Sequence, residues 1–215
     1  MRLHIKITLA AVMVVSAHTV LAASTADLHI VGTVVPGACT PVFVGGGVVD
    51  YGSIAASDLS ATTNTTLQPR SLAYTIACEA PVVIGTSWTD DRLASALSVN
   101  EQIFGLGSQS SNKIGYYTVR NVPSQTWADG VLVDSISSDG GSGLWTSSAA
   151  VGNVITQGSR NRLYSFAAPG TLIPAAHMNY SGGLTITATI APTGTLDMTA
   201  PVTLDGLSTM EVRYL

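Results

Sequence analysis

The chain of 215 residues sets nine Lys and Arg against thirteen Asp and Glu, and only 10% of it is charged where about a quarter is usual. A sparse, acidic balance of this kind excludes nucleic acid as a partner and leaves Ser, Thr, Gly and Asn to keep the surface hydrated. Two cysteines and four histidines are also too little material for a cysteine-rich metal or redox centre.

At the start, Arg2 and Lys6, the apolar run Ile7 to Val15 and the small-residue site Val20-Leu21-Ala22 predict an export signal over residues 1–22. The run is too short to span a bilayer and no later run reaches eighteen apolar residues, so no membrane anchor is expected. About 193 residues follow, enough for one domain with a real core. With Arg2 and Lys6 set aside, the nine basic residues become seven, and Lys113 is the only lysine among them.

Next comes a short alternating segment, Ala26 to Val35, in which Leu28, Ile30, Gly32 and Val34 fall at period two. An extended chain places all four on one face, with a glycine in phase among large side chains. Such a run suits the first strand of a secreted sandwich or a strand donated to another subunit. Cys39 and Cys78 are the only cysteines, and an exported pair is expected to form a disulfide. Closing that loop restricts the unfolded chain by about 4 kcal/mol in the entropic account.

Strand signals then recur between turn residues. Leu72, Tyr74, Ile76 and Cys78 alternate with Ser71, Ala73, Thr75 and Ala77, so Cys78 faces a core. Leu184, Ile186, Ala188 and Ile190 alternate with threonines, and Met210, Val212 and Tyr214 repeat the pattern at the carboxyl end. One stretch has helical spacing: Asp90 to Leu97, with Thr89 as cap and Asp90 and Asp91 in the first turn, predicts a single short helix. Asp129-Gly130, Asp139-Gly140 and Asp205-Gly206 are turn dipeptides, Ser137 to Gly143 reads as a flexible tip, and a loop or hairpin elaboration is placed at about 121–160.

Chemistry-bearing patterns are few. His177 reads as a loop or packing histidine, and the sequence holds no Gly-x-Ser-x-Gly elbow, HExxH or CxxC. No catalytic residue, metal site or cofactor is therefore expected, and the chain is not read as an enzyme. The run Gly140-Gly141-Ser142-Gly143 lacks the Lys-Ser/Thr of a phosphate loop. Trp88, Trp127 and Trp145 are accounted for most simply as core residues, although Trp127 and Trp145 flank the elaborated segment and are candidate glycan contacts.

The stretch Gly32-Thr33-Val34-Val35-Pro36-Gly37-Ala38-Cys39 resembles the start of chaperone–usher pilins, the Gram-negative fimbrial subunits. The leader, the alternating extension before Cys39, the second cysteine some forty residues on and the penultimate Tyr214 agree with that resemblance. The chain departs from it where pilins commonly carry a glycine about fourteen residues from the end; here Ala200-Pro201-Val202 stand, with Gly194 and Gly206 nearest. The resemblance covers both ends and the first third, and is closest to the longer fimbrial-like subunits.

What the resemblance implies is an all-β fold, an incomplete immunoglobulin-like β-sandwich with an N-terminal donor-strand extension (residues 23–36) ahead of a pilin domain (residues 37–215). Its missing strand is lent first by a periplasmic pilus chaperone and then, through an outer-membrane usher, by a neighbouring pilin subunit. Leu28, Ile30, Gly32 and Val34 form the implied donor strand, and Met210, Val212, Tyr214 and Leu215 the implied chaperone-pairing strand. Burying three aliphatic side chains is worth roughly 5–8 kcal/mol before ordering costs. Pro36 to Ala38 reach at most about 11 Å against a ten-residue groove of about 33 Å, so the extension fits a neighbour rather than its own cleft. The expectation is thus a structural subunit of a surface fimbrium, exported to the periplasm and then to the cell surface. The alternative is a tip adhesin or secreted carbohydrate-binding sandwich that contacts host glycan.

Overall fold

The computed structural model describes residues 26–32, 38–98, 100–141, 143–157 and 162–215. The expected export signal lies outside these residues. No helix among the described residues is long and apolar enough to cross a membrane. The chain divides at Val35 into two units, of which residues 26–32 are the described part of the first and the described residues from 38 onward belong to the second.

The larger unit is all-β, an immunoglobulin-like sandwich of antiparallel strands. In chain order these are β1 (Cys39–Phe43), β2 (Thr65–Thr66), β3 (Arg70–Val82), β4 (Ile84–Asp90), β5 (Phe104–Gly105), β6 (Ser108–Gln109) and β7 (Asn112–Lys113). Then follow β8 (Gly115–Ala128), β9 (Val131–Leu132), β10 (Asp134–Asp139), β11 (Thr146–Ser147), β12 (Arg162–Ala167), β13 (His177–Ile190) and β14 (Ser208–Tyr214). Sheet 1 runs β1-β3-β13-β8-β5, with β2 added to β13 and β9 to β8; sheet 2 runs β11-β10-β12-β4-β14; β6 and β7 form a separate hairpin.

The alternations read from sequence set the inner faces. Tyr74, Ile76 and Cys78 of β3 and Leu184, Ile186, Ala188 and Ile190 of β13 are buried from sheet 1, and Ile84 and Trp88 of β4 with Tyr164 and Phe166 of β12 meet them from sheet 2. The Phe166 and Tyr180 ring centroids are 4.7 Å apart, an aromatic contact across the sandwich. Tyr180 keeps its polar end satisfied by donating to the Val82 carbonyl and accepting from the His177 N–H at 3.0 Å. Cys39 and Cys78 form a disulfide between residues that face each other in the β1–β3 ladder.

Several local expectations change. The helix expected at Asp90 to Leu97 contracts to one 3-10 turn, Leu93–Ser95, because Thr89 and Asp90 continue β4 in register with Thr209 and Ser208. Asp90 is therefore not an exposed first-turn acid. It is buried, and its carboxylate accepts from the Gly105 and Arg92 N–H groups at 2.8 Å each. Burial pushes its pKa up, against those backbone hydrogen bonds. The flexible tip starts later than expected: Ser137 and Ser138 are buried in β10 between β11 and β12, and the turn begins at Gly140. Asp129-Gly130 is a turn, with φ of 47° and 79° joining β8 to β9. Asp205-Gly206 is not, since Gly206 adopts no left-handed φ and belongs to the segment leading into β14.

Replacing Cys39 and Cys78 together by alanine is expected to cost about 2–5 kcal/mol. Urea denaturation of the oxidised chain, the reduced chain and the double variant checks this, the last two coinciding.

Candidate functional site, an apolar groove

The two sheets end in strands of opposite ends of the chain, β1 at the edge of sheet 1 and β14 at the edge of sheet 2. They approach at one point, where the Cys39 N–H donates to the Tyr214 hydroxyl at 2.9 Å. Beyond it, the chain leaves β1 at Phe43 and reaches β14 only at Ser208. Between the flanking segments, Phe43–Leu59 on one side and Leu196–Ser208 on the other, lies a groove of about 1000 Å³. Its floor is the core itself, including Leu72, Trp88, Tyr117, Val119, Leu184 and Ile186.

The walls are extended in places yet carry no strand. Val202 and Leu204 continue, two residues at a time, the half-buried phase of Ser208, Met210 and Val212, so one face runs from the wall into β14. β14 pairs with β4 over its whole length, Ser208↔Asp90 to Tyr214↔Ile84, and among the described residues no strand lies on its other side. Apolar side chains are exposed along the groove's rim, since Met198 and Leu207 both line the groove and face solvent. A sheet edge with open main-chain groups beside an apolar floor accepts an added strand, which pairs along the edge and seats alternate side chains in the floor.

Each wall is pinned by a side chain. On the first, the Tyr51 hydroxyl accepts from the Ala188 N–H and donates to the Ile186 carbonyl, both at 3.0 Å. It thereby bridges β13 between the end of its β3 partner and the start of its β2 partner. Arg70 sits over the Tyr51 ring, 5.6 Å from its centroid. On the second wall, Arg92 forks onto Asp205, Nε to Oδ2 at 2.9 Å and Nη2 to Oδ1 at 3.2 Å, while the Asp205 N–H donates to the Leu106 carbonyl at 2.9 Å.

The residues singled out from sequence are placed as follows. Met210 is buried, Val212 half-buried, and Tyr214 and Leu215 exposed at the groove's closed end. Residues 26–32 form no strand, with Leu28, Ile30 and Gly32 exposed; Val34 lies outside the described residues. Trp88 is core and lines the groove, as the simple reading had it. Trp127 is 41% exposed on sheet 1, which corrects its expected place in the core, and Trp145 is half-buried just before β11 of sheet 2. Trp127 thus belongs to sheet 1, whereas Trp145 stands outside the strands beside the β11 edge of sheet 2. His177 places Nδ1 3.1 Å from Asp129 Oδ2. Sequence reasoning missed Tyr51, Arg92 and Asp205. The alternation Val202, Leu204 was the available signal for the second wall, while nothing local marks Tyr51.

Residues 28–114 match the model of a family described as a protein of unknown function (DUF1120). The chain is 35% identical over 97 residues to protein GltF of Escherichia coli (strain K12), covering 42% of this chain and 38% of GltF. It is 30% identical over 120 residues to the uncharacterized protein YhcF of the same organism, covering 46% of this chain and 50% of YhcF. The chain thus spans half or less of the curated relatives it matches. The family match runs from the alternating extension through the first wall, β1, β3 and β4 to Ile114 on the groove floor.

The Arg92 hydrogen bonds hold the Asp205 carboxyl below its ordinary value of 3.8. A depressed folded pKa contributes stability that is present above the unfolded value and lost as pH falls through the folded one. The melting temperature is therefore expected to drop less steeply on acidification from pH 5 to pH 2 in Asp205→Asn than in the parent, with the two curves offset and parallel above pH 5. Melting curves read across that range check it.

Proposed function

We propose that this protein is a structural subunit of a surface fimbrium, exported, oxidised and completed by a β-strand from another molecule. In this reading a periplasmic chaperone first lends a strand to the groove, an outer-membrane usher passes the subunit on, and the extension of a neighbouring subunit takes the strand's place. The observation that carries the reading is the groove of about 1000 Å³ opened over the core between the first and last strands. The one-sided pairing of β14 and the apolar rim support it, and so does the alternation Leu28, Ile30, Gly32, Val34 in the exported segment.

The chemistry asked of the site is association rather than turnover. Main-chain hydrogen bonds along β14 and the second wall supply pairing that is independent of sequence, and the fit of alternate side chains into the floor supplies selectivity. Gly32 lets the incoming backbone approach closely where a side chain would stand it off. Because the acceptor groove and the donor segment are different surfaces of one chain, the contact runs head to tail and extends into a filament.

A synthetic peptide of residues 25–36 is expected to raise the melting temperature of the chain lacking residues 23–36 by roughly 5–10 °C at a hundredfold excess over its Kd. The same peptide carrying Leu28→Asp and Ile30→Asp is expected to leave it unchanged. In cells, deletion of residues 23–36 with the leader kept is expected to abolish incorporation into fibres while preserving chaperone binding. Equal shifts with both peptides, or normal fibres from the deleted chain, would refute the reading.

A further inference from the structure

Along β8, Gly115, Tyr117, Val119 and Asn121 are buried, so odd-numbered positions point into the sandwich. From Thr126 on the phase is reversed: Thr126 and Ala128 are buried and Trp127 stands out. The cause is a bulge. Ser181 of β13 pairs with Trp127 and Gly183 with Val122, so residues 123–126 stand opposite a single residue of the partner strand. Four residues against one is an excess of three, and a bulge with an odd excess exchanges the inner and outer faces of its strand. By strict alternation Trp127 would be a core residue; the bulge puts its indole on the outer face of sheet 1.

The cross-strand register places polar groups beside it. Thr75, Ser181, Trp127 and Leu132 are successive partners across β3, β13, β8 and β9, and directly opposite residues share a face. One step along, Asn179 pairs with Ala77. The Gln125 side chain lies over Gly183, where a Cβ would collide with it. Trp127, Thr75, Asn179, Ser181 and Asp129 line a hollow of about 330 Å³ that shares no residue with the groove. Asp129 fixes the hollow's shape: with φ at 47°, its carboxylate accepts from the Asn179 N–H at 2.8 Å, from the Met178 N–H at 3.2 Å, and lies 3.1 Å from His177 Nδ1.

We infer that this hollow is a binding site for a pyranose sugar, which stacks on Trp127 and hydrogen-bonds to Thr75, Ser181 and Asn179. An indole face is apolar and flat, and the C–H face of a pyranose is its complement. Neutral hydroxyl and amide groups at the ring's edge suit sugar hydroxyls, whereas an anionic ligand would meet the Asp129 carboxylate. The volume is that of a small site holding one residue of a glycan. This inference stands independently of the groove, since neither lining nor strand pairing is shared.

The test is saturation-transfer NMR on the full exported chain with methyl β-galactopyranoside, methyl α-mannopyranoside and methyl N-acetyl-β-glucosaminide as probes, followed by titration of the indole N–H signals. At least one probe is expected to bind at millimolar concentration and to shift the Trp127 indole signal. Trp127→Ala is expected to weaken it at least tenfold, Trp127→Phe less, and Trp145→Ala not at all, with the melting temperature of each variant confirming its fold. Absence of transfer to all three probes overturns the inference, as does binding that Trp127→Ala leaves intact. So does a concentration-dependent loss of the Trp127 signal without sugar, which would mark the hollow as a contact between copies.

Discussion

The edges of the two sheets touch at the hydrogen bond from the Cys39 N–H to the Tyr214 hydroxyl and part from there. Neither edge is free to close the gap. β1 is tied to β3 by a five-residue ladder and by the disulfide at its first residue, so it cannot slide toward sheet 2 without breaking a covalent bond. β14 is held to β4 over seven residue pairs from Ser208 to Tyr214, and shifting it by one residue would turn Met210 and Val212 out of the core. The separation of the edges is therefore a fixed property of the two ladders, and the groove persists between them. The segments over it are irregular for reasons in their own sequence: Gly45, Gly46 and Gly47 take left-handed φ on one side, and Pro201 lacks an N–H on the other.

That arrangement explains which features were legible in the sequence. Strands with one face on the core and one in solvent announce themselves: the runs ending at Cys78 and Ile190 were read with their faces correctly assigned, and so were Met210 and Val212, while Tyr214 at the end of its run is exposed. The two cysteines carried long-range information as well, since a bridge between strands fixes which residues lie side by side. The order of strands in the sheets was beyond such reading, because β13 sits between β3 and β8 although it follows both by about fifty residues or more. Local signals also lost to tertiary pairing. Thr89, Asp90 and Asp91 have the composition of a helix start, yet the β14 ladder extends through Asp90, and the buried carboxylate finds its donors on Gly105 and Arg92. Ser137 and Ser138 look like loop residues and are buried in β10, where β12 pairs with both and β11 with Ser137.

The groove itself was legible only from its ends. An alternating segment before the first cysteine and an alternating segment at the carboxyl terminus suggested a donor and an acceptor, but the pins that hold the walls open are pairs remote in sequence: Tyr51 with Ile186 and Ala188, Arg92 with Asp205. Each pin satisfies groups at a place where strand pairing stops. Tyr51 replaces a missing ladder partner of β13, and the Arg92 fork holds the chain just before β14 begins. The same side chains that complete the hydrogen bonding of an unfinished sheet thus keep its edge available.

Trp127 shows how one irregularity can uncouple two surfaces of a sandwich. A strand paired into the groove meets the inner floor and the edges of the sheets, and it leaves the outer face of sheet 1 uncovered. Under the proposed strand exchange, a ligand site that stays open between joined subunits would lie on that face, away from β1 and β14. β8 is an interior strand of sheet 1, and regular pairing would have sent its odd-numbered tryptophan inward beside Tyr117 and Val119. The bulge at residues 123–126 reverses the phase for the last residues of the strand only, so the core keeps its packing through Asn121 while Trp127 emerges on the outside. The turn at Asp129-Gly130 then returns the chain through β9, and the Asp129 carboxylate locks that turn to the start of β13. Placement of the indole is thus determined by the ladder register rather than by loop flexibility, which gives the outer hollow a fixed shape for a ligand to fit.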